Sequence, residues 1–117
     1  MPVLRFSKMF NIKGDLEKVF DLTERYMSAM KFRIVNSVKP SLLVLERGSV
    51  WAPLYSFKVE DYKTTLTISF SKKEGEVIVF CDYDVKGYGS IFTSSDKSTL
   101  ETEIELLRRF LETSIQI

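Results

Sequence analysis

Thr65-Leu66-Thr67-Ile68-Ser69-Phe70-Ser71-Lys72-Lys73-Glu74-Gly75-Glu76-Val77-Ile78-Val79-Phe80-Cys81-Asp82-Tyr83-Asp84-Val85 is the stretch whose reading decides the fold. Leu66, Ile68 and Phe70 face one way and Thr65, Thr67 and Ser69 the other, the period-two alternation of a half-buried strand. Lys72-Lys73-Glu74-Gly75 reads as a turn, with glycine where a positive φ is needed. Val77, Val79, Cys81, Tyr83 and Val85 then share one face of a second strand over 76–85. Strands joined by so short a turn are antiparallel, because a parallel pair needs a long crossover. The result is a hairpin whose apolar face requires a cover.

Upstream, strands are expected at 32–38 and 42–48, joined by a turn at Lys39-Pro40-Ser41, and Gly48-Ser49 ends the second. A further run, 53–60, alternates Tyr55, Phe57 and Val59 against Ser56, Lys58 and Glu60, and reads as another strand. At the start, residues 3–12 put Leu4, Phe6, Phe10 and Ile12 on one side, with Lys8 falling among them. Gly14-Asp15 breaks that strand. Asp15 is a good N-cap for a helix over 16–30, whose stripe is Leu16, Val19, Phe20, Tyr26, Met27 and Met30. Downstream, a glycine-containing loop, Lys86-Gly87-Tyr88-Gly89-Ser90, precedes a helix expected to start near Ser98. Ser98-Thr99-Leu100-Glu101 has capping-box form. Leu100, Ile104, Leu107, Leu111 and Ile115 share one face, and Arg108 and Arg109 suit the C-terminal end of the dipole.

The order is thus β-α-β-β-β-β-β-α. It specifies an α+β fold, a curved antiparallel sheet with both helices on one face and the long C-terminal helix packed across it. Neither repeat nor linker interrupts the 117 residues, so the expectation is one domain over 1–117. The elements that carry this reading are the opening strand Leu4–Ile12, the helix from Asp15, the strands between Phe32 and Val85, and the closing helix from Ser98 to Glu112. In that layout the chain resembles the START-like helix-grip superfamily, the SRPBCC group. The resemblance covers nearly the whole chain and is one of element order, without a diagnostic motif. Members commonly carry two short helices and six strands before the last helix, where this chain has one helix and about five strands. The resemblance implies a cavity smaller than usual. It does not select among lipid, hormone or polyketide binding, cyclase activity and protein interaction.

Composition narrows the functions. The chain has no histidine, which removes catalytic triads, His–metal sites and imidazole acid–base chemistry. A single cysteine, Cys81, allows neither an internal disulfide nor a cysteine-based zinc site, and no cofactor or metal is expected. With 17 Lys and Arg against 16 Asp and Glu, interspersed, no basic face marks a nucleic-acid binder. No apolar run is long enough to span a membrane, and the N-terminus lacks signal-peptide form, so a cytoplasmic location is expected. The scarcity of Asn and Gln fits a thermophilic source.

Candidate site residues follow from the pattern. Trp51, Tyr55 and Tyr83, with Tyr88 and Phe92 in the loop before the last helix, are placed around a pocket between the sheet and the C-terminal helix. Lys8, pointing inward, would orient an acidic ligand there. The competing reading makes these aromatics ordinary core and lets Lys8 reach out to solvent. Asp82 and Asp84 read as a solvated strand face, and Cys81 as a buried structural thiol. Leu42-Leu43-Val44-Leu45 and Val77-Ile78-Val79-Phe80 are apolar on both faces, where a sheet with one wet face should alternate. Leu42, Val44, Ile78 and Phe80 therefore need a cover: the Ile115–Ile117 tail, the segment Val50–Leu54, or a second copy in a homodimer. The leading expectation is a non-enzymatic domain for a small apolar or amphipathic ligand. The alternative is an interaction or homodimerisation module, and a cyclase- or hydrolase-like enzyme ranks third.

Overall fold

The computed structural model describes residues 3–89 and 91–115. Its elements are β1 (Val3–Lys13), α1 (Leu16–Ala29), β2 (Arg33–Val38), β3 (Leu42–Arg47), β4 (Lys63–Lys73), β5 (Glu76–Lys86) and α2 (Ser94–Ile115). The strands form one antiparallel sheet in the order β1-β5-β4-β3-β2. The first strand thus lies at an edge, beside the last. The β4–β5 turn has Glu74 at φ 52° and Gly75 at φ 82°, the positive pair that matches the twist of a tight hairpin.

Register explains the core. Phe6, Tyr83, Leu66 and Leu45 stand opposite one another on successive strands, a row of large side chains across the inner face. Both helices cover that face. Phe20 of α1 meets Phe70 of β4 edge-on at 5.3 Å, and Tyr26 of α1 lies 4.8 Å from Phe110 of α2. The stripe Leu100, Ile104, Leu107 and Leu111 of α2 is buried against the same face. Asp15 caps α1 through its carboxylate, which accepts from the Lys18 N–H at 3.1 Å.

Two expectations need correction. Residues 53–60 form no strand, so the observed order is β-α-β-β-β-β-α. Pro53 has no N–H for a ladder and instead sits in a single turn of 3-10 helix, Ala52–Leu54; a second such turn spans Val59–Asp61. Tyr55 and Phe57 are exposed, and the segment anchors itself through buried Ala52 and Val59. The second correction is at α2, which starts at Ser94 rather than Ser98. The Asp96 carboxylate accepts from the Thr93 N–H at 2.9 Å, so Thr93-x-x-Asp96 makes the cap, while the Ser98 hydroxyl donates to the Ser94 carbonyl inside the helix.

On the outer face, Met9, Phe80, Ser69, Leu42 and Val38 stand in one row across all five strands. Ile78 and Val44 adjoin it. The described part of the C-terminal tail does not cover this band: Ile115 packs beside Gly14, and Ile117 lies outside the described residues. Nor does Val50–Leu54, because Ala52 is held in the core.

Candidate functional site

Arg47 is the last residue of β3 and continues the inward row after Leu43 and Leu45. Gly48 follows at φ 79°, and a Cβ there would lie 2.1 Å from the Tyr62 carbonyl oxygen, so only glycine lets the chain turn this close to itself. The return is pinned by Ser49 N–H to the Asp61 carbonyl (3.0 Å) and Lys63 N–H to the Ser49 carbonyl (3.1 Å). The 48–62 connection is thereby folded over the end of the sheet, beside the C-terminus of α1. That helix ends with Lys31 in the left-handed region at φ 71°, while Phe32 N–H returns to the Met27 carbonyl at 3.1 Å.

Between these parts and α2 lies a cleft of about 650 Å³, lined among others by Met30, Lys31, Arg47, Tyr55, Glu60 and Glu103. A narrow recess of about 30 Å³ runs behind Arg47 and Glu103, against Phe32, Tyr83 and Leu106. The space directly beneath α2 is filled by buried side chains, including Leu66, Ile68, Ile104 and Leu107. The opening is therefore at one end of the sheet–helix layer.

Charge is concentrated at the cleft wall. Glu103 Oε1 accepts from Arg47 Nη2 at 2.7 Å and from the Tyr83 hydroxyl at 2.8 Å. The Arg47 guanidinium also lies over the Phe32 ring, 4.4 Å from its centroid. Only 9% of the Arg47 side chain and 18% of the Glu103 side chain is exposed. Arg47 Nε is buried with no hydrogen-bond partner among the described residues. Burial, then the Glu103 charge, pushes the Tyr83 phenol far above its ordinary value, so it is a fixed donor and not a base at neutral pH. Burial pushes the Cys81 thiol up to about 12, far from a nucleophile's range.

No family model and no curated protein matches the sequence. Solved structures do match in shape. The solution structure of the Aha1 dimer from Colwellia psychrerythraea superposes with a TM-score of 0.64 at 10% identity, over 93% of this chain and 96% of that one. Ara h 8.0201 gives 0.64 at 10% identity, over 98% and 99%. A START superfamily protein from Mycobacterium smegmatis gives 0.58 at 14%, over 96% and 97%.

The chain has the START-like helix-grip fold.

Within this grip, the residues nominated from the sequence scatter. Tyr55 lines the cleft and Tyr83 reaches its wall through Glu103. Lys8 is on the inner side of β1, but it pairs with Glu101 of α2 at 2.9 Å, and neither residue lines the cleft. Trp51 and Tyr88 stack on each other, 4.7 Å between rings, and Phe92 packs edge-on against Tyr62. Asp82 and Asp84 face outward, taking the Ser7 hydroxyl at 2.7 Å and Arg5 at 3.6 Å. Among the described residues no cluster of His, Cys, Asp or Glu has the makings of a metal site. Arg47 and Glu103 were missed, although position betrays them. Leu43-x-Leu45-x-Arg47 places a cation on a buried strand face, and Glu103 sits within the stripe Leu100, Ile104, Leu107.

Proposed function

We propose that this chain is a binding domain that holds a small amphipathic ligand in the cleft beside Arg47. The observation that carries the reading is Arg47 Nε, a donor on a nine-tenths-buried cation at the cleft wall, left without a partner. A buried donor of this kind costs about 1–3 kcal/mol unless something accepts from it. A ligand carboxylate, sulfonate or carbonyl would supply that acceptor once the guanidinium, whose Nε is closed off from the cleft in this structure, turns toward it over the Phe32 ring. The ligand's apolar part would rest on Tyr55 and Met30 and reach toward the recess at Leu106. Relative to the sequence expectation, the ligand sits at the end of the grip rather than beneath α2.

Native mass spectrometry of freshly purified protein reads any copurified ligand. Titration with anilinonaphthalene sulfonate, an aromatic anion, then tests the site. One molecule should bind per chain, and Arg47→Met should weaken it by about tenfold, the equivalent of one charge-assisted hydrogen bond. Equal binding by the variant sinks the assignment.

A second reading concerns the outer face, and the aligned row Met9, Phe80, Leu42 and Val38 favours it. The occupant we propose is a second copy, stacked sheet to sheet over that row with Val44 and Ile78 beside it. With strands about 4.8 Å apart and roughly 3.3 Å per residue, the whole face offers about 700 Å², close to the ~800 Å² per partner of a standard interface. Sedimentation at micromolar concentration should show a dimer that Phe80→Lys dissociates; a strict monomer ends the idea.

A further inference from the structure

The 48–62 connection and the β5–α2 loop meet at one corner of the molecule and carry six exposed apolar or aromatic side chains there. Phe57 is 96% exposed, Ile91 87%, Tyr55 74% and Leu54 69%, and the exposed Trp51 and Tyr88 rings stack on each other. The two loops are tied together, since Tyr88 N–H donates to the Val50 carbonyl at 2.8 Å and Tyr62 meets Phe92 edge-on. The corner is thus one held surface and not two separate loops. We propose that this corner docks the protein onto the interfacial layer of a lipid bilayer. This goes beyond the cleft reading and does not depend on Arg47.

Three observations favour a lipid surface over a protein partner. First, the side chains project from loop tips, and a protein would need a separate pocket for each, whereas the boundary between headgroups and acyl chains accepts protruding groups of any shape. Second, the residue types suit a membrane interface: Phe57, Leu54 and Ile91 are apolar, while Trp51, Tyr55 and Tyr88 carry an N–H or O–H suited to headgroup depth. Third, Lys58, next to Phe57, and Lys86, at the end of β5, are exposed beside the apolar side chains, while Asp61 takes the Ser56 hydroxyl at 2.6 Å and Asp96 the Thr93 N–H, both keeping their charge. Among the described residues neither lysine takes part in an ion pair. Both are free for lipid phosphates. No described helix is long and apolar enough to cross a membrane, so the docking is peripheral and reversible.

Trp51 is the single tryptophan of the chain and sits in the corner, so its fluorescence reports the event directly. The full chain is mixed with vesicles of phosphatidylcholine, with and without phosphatidylserine, and scored by cosedimentation and by Trp51 emission. The expected result is association with a blue shift on both vesicles, and quenching by brominated acyl chains. The double variant Phe57→Ser/Ile91→Ser, which touches only exposed side chains, should partition about tenfold less or weaker still. Three outcomes overturn the proposal. One is no association with either vesicle, which leaves the corner to a protein partner. Another is association abolished by salt and indifferent to the double variant, which is surface adsorption without insertion. The last is a blue shift that rises with protein concentration in the absence of vesicles, which makes a second copy the occupant.

Discussion

Arg47, Glu103 and Tyr83 share one oxygen, and removing each member leaves a different residue stranded. Glu103→Gln strips the charge that Arg47 faces and leaves a buried, uncompensated guanidinium, so it should cost about 2–4 kcal/mol. Tyr83→Phe removes one hydrogen bond from a carboxylate that keeps Arg47, and about 1 kcal/mol is expected. Arg47→Met retains the contact with Phe32 and leaves Glu103 bound to Tyr83, so its cost should fall below that of Glu103→Gln. Urea unfolding of the three variants checks the ranking; an Arg47→Met more damaging than Glu103→Gln would contradict it. Lys31 presents the opposite case, a lysine held at φ 71° where glycine is at ease. Lys31→Gly should therefore raise stability by about 0.5–1 kcal/mol, measured by the same unfolding. Neither the buried triad nor the strained lysine declares itself by residue type. Arg47 and Glu103 were passed over in the sequence although each sits at a core-facing position of its element, and only the fold brings β3 and α2 together so that the two side chains meet at 2.7 Å.

The elements were legible where one pattern had no competitor. The hairpin 63–86 and the helix after Asp15 combine a clean period with an unambiguous stop signal. Where two signals overlapped, the weaker-looking one won. Tyr55, Phe57 and Val59 alternate like a strand, yet Pro53 and the close return at Gly48 commit the segment to turns. At α2 two capping boxes lie five residues apart, and the helix takes the longer extension, with the Asp96 carboxylate accepting from the Thr93 N–H at its start. Asp96→Ala should accordingly cost about 1 kcal/mol, while Ser98→Ala should change stability by no more than about 0.5 kcal/mol. Thermal unfolding of both variants settles which cap operates, and a larger loss at Ser98 would return the helix start to that residue.

At the scale of the whole molecule, the antiparallel meander of β2 to β5 followed from chain order, whereas the pairing of β1 with β5 is dictated by no connection. The cleft did not follow from chain order either, because its volume depends on where two loops come to rest. Cys81 offers a way to watch the assembled molecule. It sits mid-β5 between Lys8 of β1 and Ile68 of β4, wholly buried beneath the helices. Its thiol, pushed up to about 12 by burial, is roughly a thousandfold poorer in thiolate near neutral pH than an unperturbed cysteine. No reagent can reach it without parting the sheet from its helices. Its modification by an aromatic disulfide reagent should therefore report opening of the core, with a rate that rises with urea along the slope of global unfolding. A ligand held in the Arg47 cleft binds only the closed form and should slow the reaction by a factor of one plus its concentration over its Kd. Arg47→Met should lose that protection while keeping the same urea dependence. A rate indifferent to urea and close to that of a free thiol would mean that Cys81 is reached by local fluctuation, and that α2 lifts from the sheet without global unfolding.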